Sequence, residues 1–196
     1  MIEKPADTAQ PINKLIAERW SGRAYDPTLA VSDEDITSLC EAARWAPSCF
    51  GDSPWRFLVC NKMSDKAAWE KIYSSLVPGN QEWAKNAVLL IAVASVPNFS
   101  QNDKPNRFTG YDTGAASVSM CLQATSLGLM SHQMGGYHAN ALRKAFDIPE
   151  DIHLWSVIAI GYPAALDSLS EAQLEQELKP RQRRPLEQEF FLNKWS

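Results

Sequence analysis

Histidine and cysteine are scarce in this chain of 196 residues. There are three histidines (His132, His138, His153) and four cysteines (Cys40, Cys49, Cys60, Cys121). None stands in an H-E-x-x-H or C-x-x-C spacing, so the common zinc sites and a paired redox thiol have no support, and no metal is expected. No histidine lies at a motif spacing from Cys49, which argues against a thiol nucleophile. No G-x-G-x-x-G opens a helix after a strand and no G-x-x-x-x-G-K-[ST] occurs, excluding the dinucleotide fingerprint and the P-loop. Long apolar runs are also missing. The longest, "AVLLIAVA" at 87–94, is too short to span a bilayer and reads as a core strand, so no membrane is expected as a partner. The opening "MIEKPADTAQP" lacks the basic-then-apolar layout of a secretory signal, and the scattered thiols suit a reducing compartment, the cytoplasm. There is no basic excess: 19 basic against 23 acidic side chains leave a formal charge of -4, which weighs against a nucleic-acid partner without forbidding a local anion site.

What is present is a globular composition, 45% apolar, in a length that suits one domain over 1–196, complete alone or by pairing with a copy. "PINKLIAERW" predicts a helix opened by Pro11 and ending near Ser21 and Gly22. "SDEDITSLCEAARWAP" predicts a second, with Ser32 and Asp35 in a capping-box arrangement and Pro47 as the stop. "WRFLVC" reads as a strand, "DKAAWEKIYSSL" as a helix, and "NQEWAKNAVLLIAVASV" as a short helix running into the core strand. A polar loop follows over 97–109. From Asp112, a candidate cap, a helix runs to about Leu127; its apolar residues lie on most sides, which predicts burial under a sheet or in a dimer seam. A helix over about 140–146, a last strand in "IHLWSVIAIGYP" and an acidic helix in "SLSEAQLEQEL" complete the order. The tail carries Phe190, Phe191 and Trp195, expected to pack along this subunit or a partner. The pattern is mixed α/β, without regular strand–helix–strand repetition.

Two basic groups stand at opposite ends of the chain. Arg19, Ser21 and Arg23 would converge if the helix breaks at Gly22, offering forked guanidinium donors and a hydroxyl to a phosphate. Lys179, Arg181, Arg183 and Arg184 form the second, with Arg181 and Arg183 on one side of an extended segment. Each alone reads equally as a solvated surface. "APSCFGDSPWRF" presents backbone N–H groups and hydroxyls between a helix stop and a strand start. The pair Gly135 and Gly136 leaves backbone open to a flat ligand, or serves a turn.

In this order and spacing, "IAERWSGRAYDP", "AARWAPSCFGDSPWRFLV", "GNQEWAKNAVLLIAVA", "YDTGAASVSMCLQATSLGL", "MGGYHANALRKAFDIP", "WSVIAIGYP" and "RQRRPLEQEF" resemble the FMN-dependent nitroreductase family over nearly the whole chain. The resemblance implies an α/β (α+β) fold with a mixed, mainly antiparallel central sheet flanked by helices, and extended termini completing a homodimer with two interface FMN sites. It places Arg19, Ser21, Arg23, Arg181 and Arg183 at the FMN phosphate and neighbouring ribityl oxygens. Ser48 and Cys49 fall near the flavin ring from the partner subunit, Asn80 at its polar edge, and Gly136, beside Gly135, with its N–H facing flavin N5. Departures are Gly51 and Ser53, where family members carry asparagine and glutamine, and Trp83, where some carry a lysine. Trp83, Phe108 and Tyr111 are expected as pocket walls, and Arg107 as a candidate for a nicotinamide 2′-phosphate. The implied activity is NAD(P)H-dependent reduction of nitroaromatics, quinones or related acceptors by a ping-pong mechanism, with no side chain as proton-transfer catalyst; the alternative is a flavin carrier of little turnover.

Overall fold

Leu89–Ser95 (β2) is buried along its whole length because it has a strand on each side and helices on both faces. The computed structural model describes residues 2–195, so the end residues of the expected unit 1–196 lie outside it. The sheet runs β1-β2-β4-β3, with β1 at Trp55–Asn61, β3 at Met130–Met134 and β4 at His153–Gly161. All three neighbouring pairs are antiparallel, with Phe57 opposite Val93, Ile91 opposite Ile158 and His132 opposite Ala159. The sheet is therefore antiparallel throughout. β3 is a short strand with no periodic signal in its sequence.

Alternation along β2 divides the core. Leu89, Ile91 and Val93 pack with Leu39 and Ala43 of α2 (Asp33–Arg44) and with Ala116, Met120 and Ala124 of α5 (Thr109–Ser126). Leu90 and Ala92 pack with Trp69 and Ile72 of α3 (Lys66–Ser75), Ala84 of α4 (Pro78–Ala84) and Leu142 of α6 (Ala139–Ala145).

Several boundaries differ from expectation, each for a local reason. The first helix, α1, spans only Lys14–Glu18, because Asn13 rather than Pro11 opens it: the Asn13 side chain accepts the Leu15 N–H. Arg19 already has extended backbone (φ -62, ψ 121), so the helix breaks before Ser21 and Gly22. Ser32 caps α2 by accepting the Asp35 N–H. The reciprocal capping box forms instead at α7 (Glu171–Leu178), between Ser170 and Gln173. Asp112 is not a cap; it lies inside the first turn of α5, buried, and accepts the Cys49 N–H at 3.0 Å. Nor is α5 buried on most sides. Its covered stripe is Thr109, Asp112, Thr113, Ala116, Ser117, Met120, Cys121 and Ala124, while Tyr111 (81%) and Val118 (45%) are exposed. The aromatic tail does not pack onto this chain's core: Phe191 and Trp195 meet at a ring distance of 5.0 Å, but Trp195 stays 86% exposed.

Candidate functional site

Residues separated by most of the chain meet at the end of α1. Arg181 donates through Nη1 to the carbonyls of Ala17 (2.6 Å) and Lys4 (2.7 Å), so it ties residues 4 and 17 to the segment after α7. Burial holds the Arg181 guanidinium below its ordinary pKa, and the charges of Arg19 and Arg183 push it the same way. Arg19 and Arg183, one from each basic motif, thus lie within electrostatic reach of Arg181. Among the described residues, none of Arg19, Arg23, Arg181 and Arg183 takes part in an ion pair. Arg19 Nη1 reaches the Ser21 hydroxyl at 3.4 Å, and Arg183 bonds only the adjacent Gln182 carbonyl. Like charges gathered here oppose folding, and Glu177 is the acidic group in electrostatic reach of Arg23; together the basic groups make a candidate anion cradle.

The loop between Arg19 and Arg23 is held from behind by Glu177, which is 4% exposed. Its carboxylate accepts the Arg23 N–H at 2.9 Å and also the Ala24 N–H. Burial raises the Glu177 pKa, against the pull of those two N–H groups and of Lys4. Gly22 is required by this approach: a Cβ there would lie 2.8 Å from Glu177 Oε2 and collide with Met130 Sδ. Lys4 Nζ donates to the Glu177 carbonyl at 2.5 Å and sits 4.3 Å over the Trp20 ring. A separate cavity of about 450 Å³ opens beneath residues 2–5, lined by Trp20, Leu129, Met130 and Leu169, and none of the four arginines lines it.

α4 carries the next wall. Asn80 and Trp83, three apart, share a face of this helix. Asn80 Nδ2 donates to the Gly136 carbonyl at 2.9 Å, and that carbonyl also accepts the Val77 N–H. A Cβ at Gly136 would lie 2.8 Å from Asn80 Nδ2, so glycine is needed for close packing; Gly135 has open space around it. The Trp83 ring lies 4.5 Å from His132 and 6.2 Å from Tyr25, with the Arg23 guanidinium 6.0 Å away. Thus Arg19, Ser21, Arg23, Asn80, Trp83, Gly136, Arg181 and Arg183 form one neighbourhood.

Ser48, Cys49, Ser53, Phe108 and Tyr111 form another. Residues 49–51 make a single 3-10 turn, and Phe50 (φ 55), Gly51 (φ 69) and Ser53 (φ 52) all have left-handed backbone. The turn is fixed by the Ser48 hydroxyl accepting the Ser53 N–H, by Asp112 holding Cys49, and by Asp52 accepting the Ser100 N–H and hydroxyl. It presents Phe50, 82% exposed, with Phe99 edge-on at 5.8 Å. Arg107 stacks on Phe108 at 4.7 Å. Along α5, Asp112 serves this turn while Cys121 lies near Arg19 and accepts from Gln133. Nine residues of helix separate those anchors by about 13 Å. Within one chain the two groups are distinct.

Two residues at the cradle escaped the sequence reading. Glu177 sits in an acidic helix and looks like a solvated charge. His132 lies in a segment too short to show its period, and only its alternation with the buried Ser131 hints that it has a side of its own.

The cradle residues fit an FMN phosphate by the chemistry of their donors: forked guanidinium groups and a hydroxyl, with the Glu177 carboxylate facing backbone N–H groups behind the loop. Comparisons with known proteins agree. A crystal structure of an oxidoreductase containing FMN superposes with a TM-score of 0.89, at 32% identity, over 100% of this chain and 99% of that one. A provisionally named nitroreductase from Desulfovibrio desulfuricans, solved in complex with FMN, gives 0.73 at 26% identity over 96% and 100%. A relative from Archaeoglobus fulgidus, which carries the provisional name NADH dehydrogenase/NAD(P)H nitroreductase, is 34% identical over 76% of this chain and 84% of its own length. The model of the nitroreductase family matches residues 16–162. With the match covering the sheet, α5 and the first basic motif, the chain belongs to the nitroreductase family.

Proposed function

We propose that this protein is an FMN-dependent oxidoreductase that takes electrons from NADH or NADPH and passes them to a small organic acceptor such as a nitroaromatic or a quinone. The observation that carries this reading is the gathering of Arg19, Arg181 and Arg183 without an ion-pair partner, an arrangement that a phosphate would relieve. Bound FMN would supply the two-electron chemistry.

The chain's own residues would bind and orient. Arg19, Ser21, Arg23 and Arg183 would take the phosphate and nearby oxygens. Arg181, whose Nη1 is committed to two carbonyls, would act chiefly by holding the cradle together. Asn80 keeps Oδ1 for a ligand, because its Nδ2 is bound to the Gly136 carbonyl. Gly136 permits that close seat. The chemistry needs no proton-transferring side chain, and Cys49 serves through its backbone.

The turn at 48–53 would reach a cradle only in a second copy. Its exposed Phe50, the exposed Tyr111 and Val118 face of α5 and the aromatic tail all leave apolar surface open on one chain. Closed two-fold pairing would cover these and bring the second group of site residues to the first group of the partner. Phe108 and Tyr111 would then wall the acceptor pocket.

An anaerobic titration of the purified protein with each nicotinamide, followed by addition of acceptors, tests this reading. Bleaching of the bound flavin and its recovery on adding a nitroaromatic or a quinone are expected. Bound flavin that neither nicotinamide bleaches would favour a flavin carrier instead.

A further inference from the structure

His132 belongs to no part of the mechanism above, yet it stands inside the cradle. It projects from β3, opposite Ala159 of β4, and its Nδ1 lies 3.0 Å from the carbonyl of Gly22, the residue before Arg23 in the loop. A carbonyl only accepts, so Nδ1 carries a proton in either charge state. The neutral ring is thereby fixed as the Nδ1–H tautomer, and the second proton can come and go only at Nε2. The ring lies tilted against Trp83, with centroids 4.5 Å apart.

We propose, on the reading that this site binds FMN, that His132 is a further cofactor-site residue: a titratable cation that joins Arg19 and Arg23 when the anionic ligand is present. The groups around it define how it would respond. Arg19 and Arg23 approach from the loop, and both oppose its charging. Tyr25, also against Trp83, is buried and its phenol pushed far up, so it stays neutral. Cys121 of α5 is held up by burial and is a neutral thiol. Trp83 from α4 carries no charge. Glu177 of α7 approaches the same Gly22, but its carboxylate faces the Arg23 and Ala24 N–H groups. With no anion present, burial first and then the two arginines keep His132 below its ordinary 6.5, with the Gly22 bond acting in the other direction. A phosphate or an anionic ring edge set between the arginines reverses that arithmetic, because it attracts the imidazolium as strongly as it attracts them. Cofactor binding then takes up a proton, and by linkage acid tightens the cofactor.

The test is the FMN dissociation constant of the holoprotein and of His132→Gln, measured by release of flavin fluorescence on dilution between about pH 5 and 8. The FMN phosphate itself titrates near pH 6, but that contribution is common to both proteins and cancels in their ratio. The ratio of variant to wild type is expected to be about 10 at the acid end, falling towards 1 at the alkaline end, since one unit of pKa change is tenfold in affinity. A ratio that does not change with pH, with flavin bound in both, overturns this proposal alone. Protein that binds no FMN at any pH overturns it together with the proposed function. Should His132→Gln fail to fold, NMR titration of the ring in flavin-loaded wild type decides: His132, identified by its contact with Trp83, is expected to titrate above 6.5, and titration at or below that value contradicts the proposal.

Discussion

The arginine cradle and the turn at 48–53 are built on opposite plans. The cradle is assembled from remote pieces: residues 4, 17–24, 80–83, 132–136 and 177–183 meet there, held by Arg181, Glu177 and Asn80, each bonded to main chain on another element. The turn is almost wholly local. Ser48 holds Ser53, and Asp112, Ser100, Phe99 and Arg56 reach it from outside. The cradle gathers like charge from both ends of the chain, whereas the turn holds left-handed backbone at Phe50 and Ser53 and leaves an aromatic ring exposed. On the reading proposed above, an anion would complete the first region and a partner's surface the second.

The comparison can be broken most forcefully through what the two regions share. Both are anchored on α5, and Met120, fully buried between the two anchors, fixes that helix on the sheet. Met120→Ala should destabilise the fold by about 2–5 kcal/mol, read as a lower urea midpoint at unchanged slope, and should loosen both regions together. Arg181→Ala separates them. It removes two charge-assisted bonds to Lys4 and Ala17, about 1.5–3 kcal/mol each at most, so residues 2–6 should become accessible to limited proteolysis while the turn at 48–53 stays protected. Ser48→Ala does the converse. Losing one bond to the Ser53 N–H should cost about 0.5–1.5 kcal/mol by thermal unfolding and leave the cradle's accessibility unchanged.

The smallest effect sharpens the role of Glu177. Its folded pKa is raised above its ordinary 4.5 by burial, so the folded state holds a proton that the unfolded state has lost. Its contribution to stability is therefore fully present below 4.5 and is lost as pH rises through the folded value. In Glu177→Gln this dependence disappears. The difference in melting temperature between wild type and variant should shift in the variant's favour as pH rises through that window.

Sequence reasoning reaches three of the four strands and most helices because their signals are local and periodic: the β2 run, the Ser32 cap and the strand at 55–61 are all visible. It missed where backbone and side chain compete. Asn13 displaced Pro11 as the start of α1, because a side-chain acceptor two residues before Leu15 satisfies an N–H that proline leaves open. Asp112 resembled a cap, yet it serves a long-range bond to Cys49 that no spacing reveals. On α5 the apolar residues spread over more than one face and could not single out the covered stripe: Met120, Cys121 and Ala124 are inside together with Thr113 and Ser117, while Val118 is out. The two arginine motifs were legible as charge, and the family resemblance brought them together. Glu177 and His132 were not legible, because a buried charge and a surface charge have the same letter.

The central claim, that the two arginine motifs close around one phosphate-bearing flavin, is tested most directly by the flavin content of purified wild type and Arg19→Ala. Wild type should carry one FMN per chain, and the variant, with the same circular dichroism spectrum and no loss of thermal stability in the flavin-free state, should be colourless. A folded Arg19→Ala protein that retains its full complement of flavin would contradict the account.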